Sequence, residues 1–382
     1  MNRITLIATA TFGLEMVVRH EVEAMGFEIT KGADGRIEFN AAMEDIPRAN
    51  LWLRSADRVL LKMGEFEALT FEELFEKTKA LPWETLITRE GKFTVNGKAV
   101  KSTLGSIRAC QAIVKKAVVE KLKQIYQTEW FEETGPEFTI QVAMHNDIAL
   151  LTVDTSGPGL HKRGYRERWG DAPLKETLGA ALVMLSFWDR DRILIDPMCG
   201  SGTIPIEAAM IARNIAPGLK REFASEYWPS IDRELWHRER RAAHDAINSE
   251  GKLQIFGYDI DEKCISACRL NAKNAGVAND IVFDRKDIKD LWIDRQYGII
   301  ISNPPYGMRM SDFKEINEIY ISIHKTFKKK KGWSVFILTS DEMFPKYFKR
   351  AEPDRVRKLF NGKIKVNYYQ YHGERPPEKP WD

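Results

Sequence analysis

A short apolar stretch followed by a glycine-rich loop constrains the fold of this chain more than any other feature. Residues 192–203 read Arg-Ile-Leu-Ile-Asp-Pro-Met-Cys-Gly-Ser-Gly-Thr, which predicts a buried strand, a loop, and a helix over residues 204–214. Gly200 and Gly202 allow positive φ and close approach of the backbone to a ligand, and Thr203 can cap the helix. The loop lacks the Lys-Ser/Thr pair of a P-loop and the third glycine of the dinucleotide fingerprint. We therefore expect an α/β domain whose loop holds another kind of ligand.

Acidic residues end this strand and the next strands along the chain. Asp196 places a carboxylate where it would repel a triphosphate but attract the ammonium group of an amino-acid ligand, a polarity that fits S-adenosylmethionine. Asp259 ends the apolar stretch 253–258 and is well placed to accept hydrogen bonds from ribose hydroxyls. Asp287 follows a third strand candidate and could accept from the adenine amino group. Acids at strand ends are also common helix N-caps, and for Asp261 and Asp287 that alternative stays open.

The run Ser-Asn-Pro-Pro-Tyr-Gly at residues 302–307 follows the strand-like segment 297–301. The side-chain oxygen of Asn303 and the carbonyl of Pro304 can both accept hydrogen bonds from an exocyclic amine, which favours the pyramidal nitrogen that a transfer reaction requires. Pro304 and Pro305 have no backbone donor and fixed φ angles, and Tyr306 offers a face on which a base can stack. The alternative is a proline-rich turn that only ends a strand.

These motifs, together with His-Lys-Arg-Gly-Tyr-Arg at 161–166 and Ala-Pro-Leu-Lys-Glu-Thr-Leu-Gly-Ala-Ala at 172–181, resemble those of S-adenosylmethionine-dependent amino-methyltransferases. The order is most similar to that of the bacterial THUMP-domain RNA methyltransferases, in particular the 23S rRNA guanine-N2 family. This resemblance implies two sets of site residues. The cofactor set is Asp196, Gly200, Ser201, Gly202 and Thr203 at the methionine end, Asp259 at the ribose and Asp287 at the adenine. The catalytic set is Asn303, Pro304, Pro305 and Tyr306.

The resemblance also implies the fold class. We expect a C-terminal Rossmann-like class I methyltransferase sheet with an antiparallel last strand, preceded by an α+β ferredoxin-like and THUMP region. The expected domains are a ferredoxin-like subdomain over 1–45, a THUMP RNA-binding domain over 46–156, and the methyltransferase domain over 160–382, with a hinge at 156–159. Asp259 follows Asp196 by much more than the roughly 20 residues of an ordinary dinucleotide site, because a segment at 216–244 is inserted between them.

Turn residues predict where strands pair. We expect a helix over residues 173–187. We also expect three tight turns, at Asp34 and Gly35, at Asn146 and Asp147, and at Asn361 and Gly362. The last of these turns would join the final two strands into a hairpin.

The charge balance excludes a strongly basic RNA binder, since 58 Lys and Arg residues against 55 Asp and Glu residues leave a net charge of +3. Binding to RNA must then come from local patches. Charge spacing alone favours a plain solvated surface for Lys98, Lys101, Arg108 and Lys115, whereas the resemblance of their region to a THUMP module favours RNA contact. The candidate RNA-binding residues are Lys98, Lys101, Arg108, Lys115, Lys162, Arg163 and Arg166.

Four cysteines show neither metal-ligand spacing nor disulfide density, and no apolar run approaches the roughly 20 residues of a membrane span. We expect a cytoplasmic protein with no metal and no membrane partner. The expected reaction is methyl transfer from S-adenosylmethionine to a base amine in structured RNA, with guanine N2 of 23S rRNA favoured. The alternatives are adenine N6, tRNA guanine N2, a DNA methyltransferase, and a non-catalytic RNA-binding assembly factor. Sequence determines neither the exact nucleotide nor the oligomeric state.

Overall fold

The computed structural model describes residues 3–167, 173–305, 312–328, 330–349 and 352–374. Its contacts divide the chain into two compact units. Unit 1 comprises Met1–Ala10, Val18–Leu160 and Arg221–Ala242, and unit 2 comprises Thr11–Val17, His161–Lys220 and Ala243–Asp382. Helices are described at α1 (Glu15–Ala24), α2 (Ile46–Trp52), α3 (Phe71–Lys79), α4 (Ile107–Tyr126), α5 (Glu176–Leu185), α6 (Thr203–Ala212), α7 (Arg233–Asp245), α8 (Glu262–Ala275), α9 (Asp312–Phe327) and α10 (Phe344–Phe348).

Unit 1 contains a mixed sheet whose seven described strands follow the order β2-β3-β1-β4-β7-β6-β5. The strands are β1 (Ile4–Ala10), β2 (Glu28–Ala33), β3 (Arg36–Ala41), β4 (Ala56–Glu67), β5 (Lys92–Val100), β6 (Glu137–His145) and β7 (Ile148–Asp154). Both tight turns predicted in this region are confirmed, since β2 joins β3 across Asp34 and Gly35 and β6 joins β7 across Asn146 and Asp147. Strands β5 and β6 are parallel. Helix α4 lies between them in the chain and supplies the crossover that a parallel pair requires.

The buried face of α4 agrees with its sequence period. Cys110, Val114, Ala117 and Val118 are all fully buried, while Arg108 and Lys115 are exposed. Ser106 caps this helix by accepting a hydrogen bond from the N–H of Ala109. The amphipathic pattern therefore fixes which face of α4 packs on the core of unit 1.

Part of the inserted segment belongs to unit 1. Residues Arg221–Ala242 are grouped with that unit, although the sequence prediction placed them inside the methyltransferase domain. The indole of Trp228 stacks on Phe138 with ring centroids 5.1 Å apart, and Phe223 and Trp236 are buried in the same hydrophobic core. Burial of these aromatic side chains explains why the segment packs there.

Unit 2 contains a second sheet of seven described strands in the order β10-β9-β8-β11-β12-β14-β13. They are β8 (Leu194–Asp196), β9 (Ile255–Asp259), β10 (Ile281–Arg285), β11 (Gly298–Ser302), β12 (Trp333–Thr339), β13 (Arg355–Asn361) and β14 (Ile364–Tyr371). Strands β8 to β12 are parallel, whereas β14 is antiparallel to both of its neighbours. The predicted fold class, the final hairpin and the antiparallel last strand are confirmed, although the turn of that hairpin is formed by Gly362 and Lys363 rather than by Asn361 and Gly362.

Both faces of this sheet are covered, which explains why its strands are apolar throughout. On β11, Ile299 and Ile301 pack in one hydrophobic core, while Ile300 packs in the core of the other face. Polar groups therefore collect beyond the strand ends, and the carboxyl edge of the sheet is where the predicted site residues meet.

Two local predictions in unit 2 need correction. Helix α5 begins at Glu176 rather than at Pro173. Helix α6 begins at Thr203 itself, and the cap position is taken by Gly202, which adopts φ +81°. Thr203 is therefore the first helical residue rather than the cap. Among the described helices, none combines the length and the hydropathy that a membrane crossing requires.

Candidate active site

A cavity of about 180 Å³ lies at the carboxyl edge of the second sheet. It is bounded by the glycine-rich loop after β8 and by the residue that follows β11. Its lining consists of Pro173, Leu174, Asp196, Met198, Cys199, Gly200, Ser201, Thr203, Ile204 and Asn303. The glycine-rich loop, predicted to hold the cofactor, and Asn303, the first residue of the run predicted to hold the target amine, therefore line one cavity.

Asp196 ends β8 and is almost completely buried. Its Oδ1 accepts a 2.7 Å hydrogen bond from the hydroxyl of Ser302 and a 3.2 Å bond from the N–H of Met198. Burial raises the pKa of this carboxyl to about 7, with a further increase from nearby Asp259, although both hydrogen bonds lower the pKa. The position thus offers a carboxylate whose negative charge a bound ammonium group would stabilise.

Asp259 ends β9 and holds the glycine-rich loop. Its Oδ2 accepts a 2.9 Å hydrogen bond from the N–H of Gly200, and its Oδ1 accepts a 3.0 Å bond from the N–H of Asp261. Burial raises the pKa of Asp259. The next residue, Ile260, has 61% of its surface exposed.

The two glycines of the loop serve different purposes. Gly200 has φ +53°, and a Cβ built on it would meet no atom within 4 Å. Gly202 also has positive φ, but its Cβ would lie 3.1 Å from Sγ of Cys268 and 3.2 Å from Cζ of Phe283. Gly202 therefore permits close packing of the loop, while Gly200 leaves open space where a ligand can approach the backbone. The bare backbone at Gly200 and the carboxylate of Asp196 fit the amino-acid end of S-adenosylmethionine.

Asn303, Pro304 and Pro305 follow β11 directly. Asn303 is partly buried and lines the cavity, Pro304 is buried, and Pro305 is exposed. Tyr306, the fourth predicted catalytic residue, lies outside the described residues.

Arg163 is buried and Arg166 is partly buried, whereas the sequence predicted cations that contact RNA. Nε of Arg163 lies 3.4 Å from Oε1 of Glu207, and both side chains are almost fully buried. The burial of Arg163 contradicts the expectation that it contacts RNA, because its charged group pairs inside the protein. RNA contact by Arg166 stays a prediction.

Arg166 joins two walls of the cavity. Its guanidinium donates to the hydroxyl of Thr203 and to the carbonyl of Leu174, both of which line the cavity. Its Nε also lies 3.2 Å from Oε1 of Glu176, near the start of α5. The side chain thus connects the segment before α5 to the first turn of α6.

The other predicted residues lie apart from the cavity lining. The carboxylate of Asp287 accepts a hydrogen bond from the N–H of Lys289 and caps a short 3₁₀ turn, which was the alternative left open for it. The remaining RNA candidates have exposed side chains, namely Lys98, Lys101, Arg108, Lys115 and Lys162. Their roles stay predictions.

The cysteine in the loop, Cys199, is buried beside a second thiol. Sγ of Cys199 lies 3.6 Å from Sγ of Cys268, and this hydrogen bond together with burial raises the pKa of the Cys199 thiol. The thiolate form needed for attack is therefore disfavoured. Within the described part of the chain, no group of three or more His, Cys, Asp or Glu side chains could hold a metal ion.

The model of the methyltransferase domain called RMKL-like matches residues 163–370. The chain belongs to this methyltransferase family. The model of the RlmL ferredoxin-like domain matches residues 5–60, and the THUMP domain model matches residues 68–154. The predicted family resemblance is confirmed.

YpsC of Bacillus subtilis (strain 168), whose name assigns it provisionally as an RNA methyltransferase, is 47% identical over 99% of this chain and 98% of its own length. The ribosomal RNA large subunit methyltransferase K/L of Shewanella frigidimarina (strain NCIMB 400) is 33% identical over 96% of this chain. This chain spans only 52% of that protein's length.

Among solved structures, SMU.472 is titled provisionally as a methyltransferase and is complexed with SAH. It superimposes with a TM-score of 0.92 at 41% identity and covers 98% of this chain and 100% of its own. S-adenosylmethionine as the cofactor is thereby confirmed, in agreement with the chemistry of the loop.

Proposed function

We propose that this methyltransferase acts on the exocyclic amine of a base in structured RNA, with guanine N2 of 23S rRNA as the favoured target. The observation that carries the proposal is the shared cavity, since Asn303 and the glycine-rich loop line the same space. A group held by Asn303 would therefore lie beside a cofactor held by the loop, which is the proximity that direct transfer needs.

The roles of the residues follow from their chemistry. S-adenosylmethionine, when bound, supplies a methyl group on a cationic sulfur. Oδ1 of Asn303 and the carbonyl of Pro304 would accept hydrogen bonds from the two amine hydrogens, which leaves the nitrogen lone pair free to form the N–C bond as the S–C bond breaks. The sulfur would leave as a neutral thioether, and the methylated nitrogen would release one of its two protons to water. Tyr306 would stack on the base. Asp196 and the backbone at Gly200 would hold the amino-acid end of the cofactor, with Asp259 toward the ribose and Asp287 toward the adenine.

Two observations support RNA as the substrate. The THUMP model matches residues 68–154, and that region presents exposed Lys98, Lys101, Arg108 and Lys115. Exposed cations can contact phosphates without sequence preference. The names of the K/L relative and of YpsC favour RNA, and the K/L name favours the large ribosomal subunit. We also propose a cytoplasmic location, where ribosomal RNA would be modified.

The runner-up targets are adenine N6 and tRNA guanine N2, because the Asn-Pro-Pro-Tyr run can hold several base amines. A non-catalytic RNA-binding factor is the rival from another class. The open space at Gly200 and the buried carboxylate of Asp196 argue against it, since neither feature is needed in a protein that binds no cofactor.

The deciding experiment is to incubate the chain with labelled S-adenosylmethionine and RNA that lacks the modification, and then to identify the methylated nucleoside by mass spectrometry. N2-methylguanosine in 23S rRNA supports the proposal. N6-methyladenosine, or label in tRNA alone, would favour a runner-up. No measurable binding of S-adenosylmethionine, together with no methylated product from any RNA, would favour the non-catalytic rival.

A further inference from the structure

The turn between β13 and β14 lies at the same edge of the sheet as the candidate active site. Strand β14 is antiparallel to both β12 and β13, so β13 runs in the same direction as β12 and β11. The carboxyl end of β13, where the turn at Gly362 and Lys363 begins, therefore reaches the edge at which Asn303 follows β11. The strand order places β13 three positions from β11, a separation of about 14 Å at 4.8 Å per strand.

This hairpin carries exposed lysines beside a partly buried aromatic ring. Lys358, Lys363 and Lys365 are exposed, and none of them takes part in an ion pair within the described part of the chain. Phe360 pairs with Lys365 in the strand register, so the two side chains share one face, and Lys358 lies on that face two residues earlier.

A second aromatic ring extends this face. Phe12 is 53% exposed and meets Phe360 edge to face, with ring centroids 6.1 Å apart. The backbone at Gly13 lies close to the backbone at Lys358, since a Cβ on Gly13 would lie 2.5 Å from the carbonyl oxygen of Lys358. The carboxylate of Glu15, which is close to Phe12 in the chain, accepts a 2.8 Å hydrogen bond from the N–H of Gly13.

We propose that this surface, the hairpin patch formed by Phe12, Lys358, Phe360, Lys363 and Lys365, binds the phosphate backbone and an unpaired base of the RNA next to the target base. The inference rests on the proposed RNA substrate. Cations supply the affinity for phosphates, and exposed aromatic rings supply a stacking surface for a base. Both lie at the edge that the target strand must approach to reach Asn303. Lysines on an edge strand can also serve only to prevent strand-to-strand aggregation, so the experiment must separate the two roles.

The test compares two triple variants with the same loss of charge. The first carries Lys358→Gln, Lys363→Gln and Lys365→Gln. The control carries Lys252→Gln, Lys325→Gln and Lys328→Gln, three exposed lysines that precede β9 or lie at the end of α9, at the opposite edge of the sheet. Affinity for an unmodified 23S rRNA transcript is measured over a range of salt concentrations. S-adenosylmethionine is left out, so that no methyl transfer takes place.

For the hairpin variant we expect affinity about tenfold weaker near physiological salt, and a slope of log K against log[salt] that is smaller in magnitude by about 2. The control variant should keep the wild-type slope. Its affinity should change only slightly, and by the same factor at every salt concentration. Thermal unfolding and S-adenosylmethionine affinity should match the wild type in both variants, because neither set touches the cavity.

A wild-type slope in the hairpin variant would overturn the inference, and so would increased aggregation with unchanged RNA affinity. If both variants lose the same slope, the patch has no special role and the inference also fails. The proposed function is judged separately by the methylated nucleoside. A hairpin-dependent slope in a chain that methylates no RNA would reject that function and keep the patch, whereas methylation with an unchanged slope would do the reverse.

Discussion

The hydroxyl of Ser302 donates a 2.7 Å hydrogen bond to Oδ1 of Asp196, and both groups are buried. The two residues are far apart in the chain but end neighbouring parallel strands, β11 and β8. Asp196 precedes the glycine-rich loop, and Ser302 precedes Asn303. The bond therefore connects the segment that would hold the cofactor directly to the segment that would hold the amine.

Replacing Ser302 by Ala should weaken cofactor binding. The substitution leaves Oδ1 of Asp196 with the N–H of Met198 as its remaining described donor, which raises the pKa of the carboxyl further and reduces its charge at neutral pH. A hydrogen bond to a charged group contributes about 1.5–3 kcal/mol, so affinity for S-adenosylmethionine should fall by roughly tenfold or more in a calorimetric titration. Ser322→Ala, which removes a hydroxyl bonded to the carbonyl of Glu318 inside α9, is the matched control and should bind normally. Equal affinities in the two variants would show that the bond does not support the site.

The raised pKa of Asp196 predicts a specific dependence on pH. Because burial raises this pKa from its ordinary 3.8 to about 7, the folded apo-protein holds a proton between these values that the unfolded chain has lost. Stability should therefore fall as pH rises from about 4 to about 7, and level off above that. Cofactor binding should show the opposite trend, since an ammonium group favours the ionised carboxylate.

The measurement is the affinity for S-adenosylmethionine between pH 5.5 and 8.5. We expect affinity to rise by up to about tenfold per pH unit below pH 7, to flatten just above it, and to fall again above about pH 8, where the amino group of the cofactor loses its own proton. Asp196→Asn should bind weakly with no such rise, and its urea unfolding should lose the pH trend. A wild-type affinity that is constant over this range would contradict the assignment of Asp196 to the ammonium group.

Local turn chemistry made much of the fold predictable from sequence. The Asn361-Gly362 dipeptide predicted the final hairpin, with its turn displaced by one residue, and the φ of +73° at Gly35 explains why a glycine stands in the first hairpin. The shared cavity was also predictable, because strand-end motifs of a parallel sheet meet at one edge.

What sequence could not provide were partners distant in the chain. Arg163 looked like a surface cation, but Glu207 lies on α6 and neutralises it inside the protein. The inserted segment similarly gave no sign that Trp228 would stack on Phe138. In both cases the decisive contact is between elements whose proximity only the folded structure reveals.

Arg166 should support both stability and cofactor binding, in ways that can be separated. Arg166→Ala removes the partner of the buried carboxylate of Glu176, which should cost about 3–5 kcal/mol in urea unfolding. Adding Glu176→Gln should recover much of that stability by removing the unpaired charge. Arg166→Ala should also weaken binding of S-adenosylmethionine, because the hydrogen bonds to Leu174 and Thr203 are lost. Affinity should stay low in the double variant, because those hydrogen bonds are still absent. Full recovery of affinity together with stability would show that Arg166 acts on folding alone.

Asn303→Ala should abolish methyl transfer while leaving cofactor affinity nearly unchanged. The side chain lines the cavity from the β11 side, and its predicted partner is the target amine rather than the cofactor. Loss of a group that acts on the transition state lowers kcat without a matching change in ground-state binding. Single-turnover transfer and calorimetric titration measure the two quantities. Asn248→Ala, outside the cavity lining, is the control, and loss of both quantities in Asn303→Ala would contradict this division of roles.

The two loop glycines give a paired prediction about packing and binding. In Gly202→Ala, positive φ and the close approach to Cys268 and Phe283 should together lower the free energy of unfolding by about 2–3 kcal/mol. In Gly200→Ala the backbone strain alone should cost about 1 kcal/mol, because the new methyl group meets no atom within 4 Å. That methyl group would instead occupy space at the cavity. For each unit of stability lost, Gly200→Ala should therefore lose more cofactor affinity than Gly202→Ala. Urea unfolding and calorimetric titration of both variants provide the comparison, and the opposite ranking would mean that the open space at Gly200 is not where the cofactor binds.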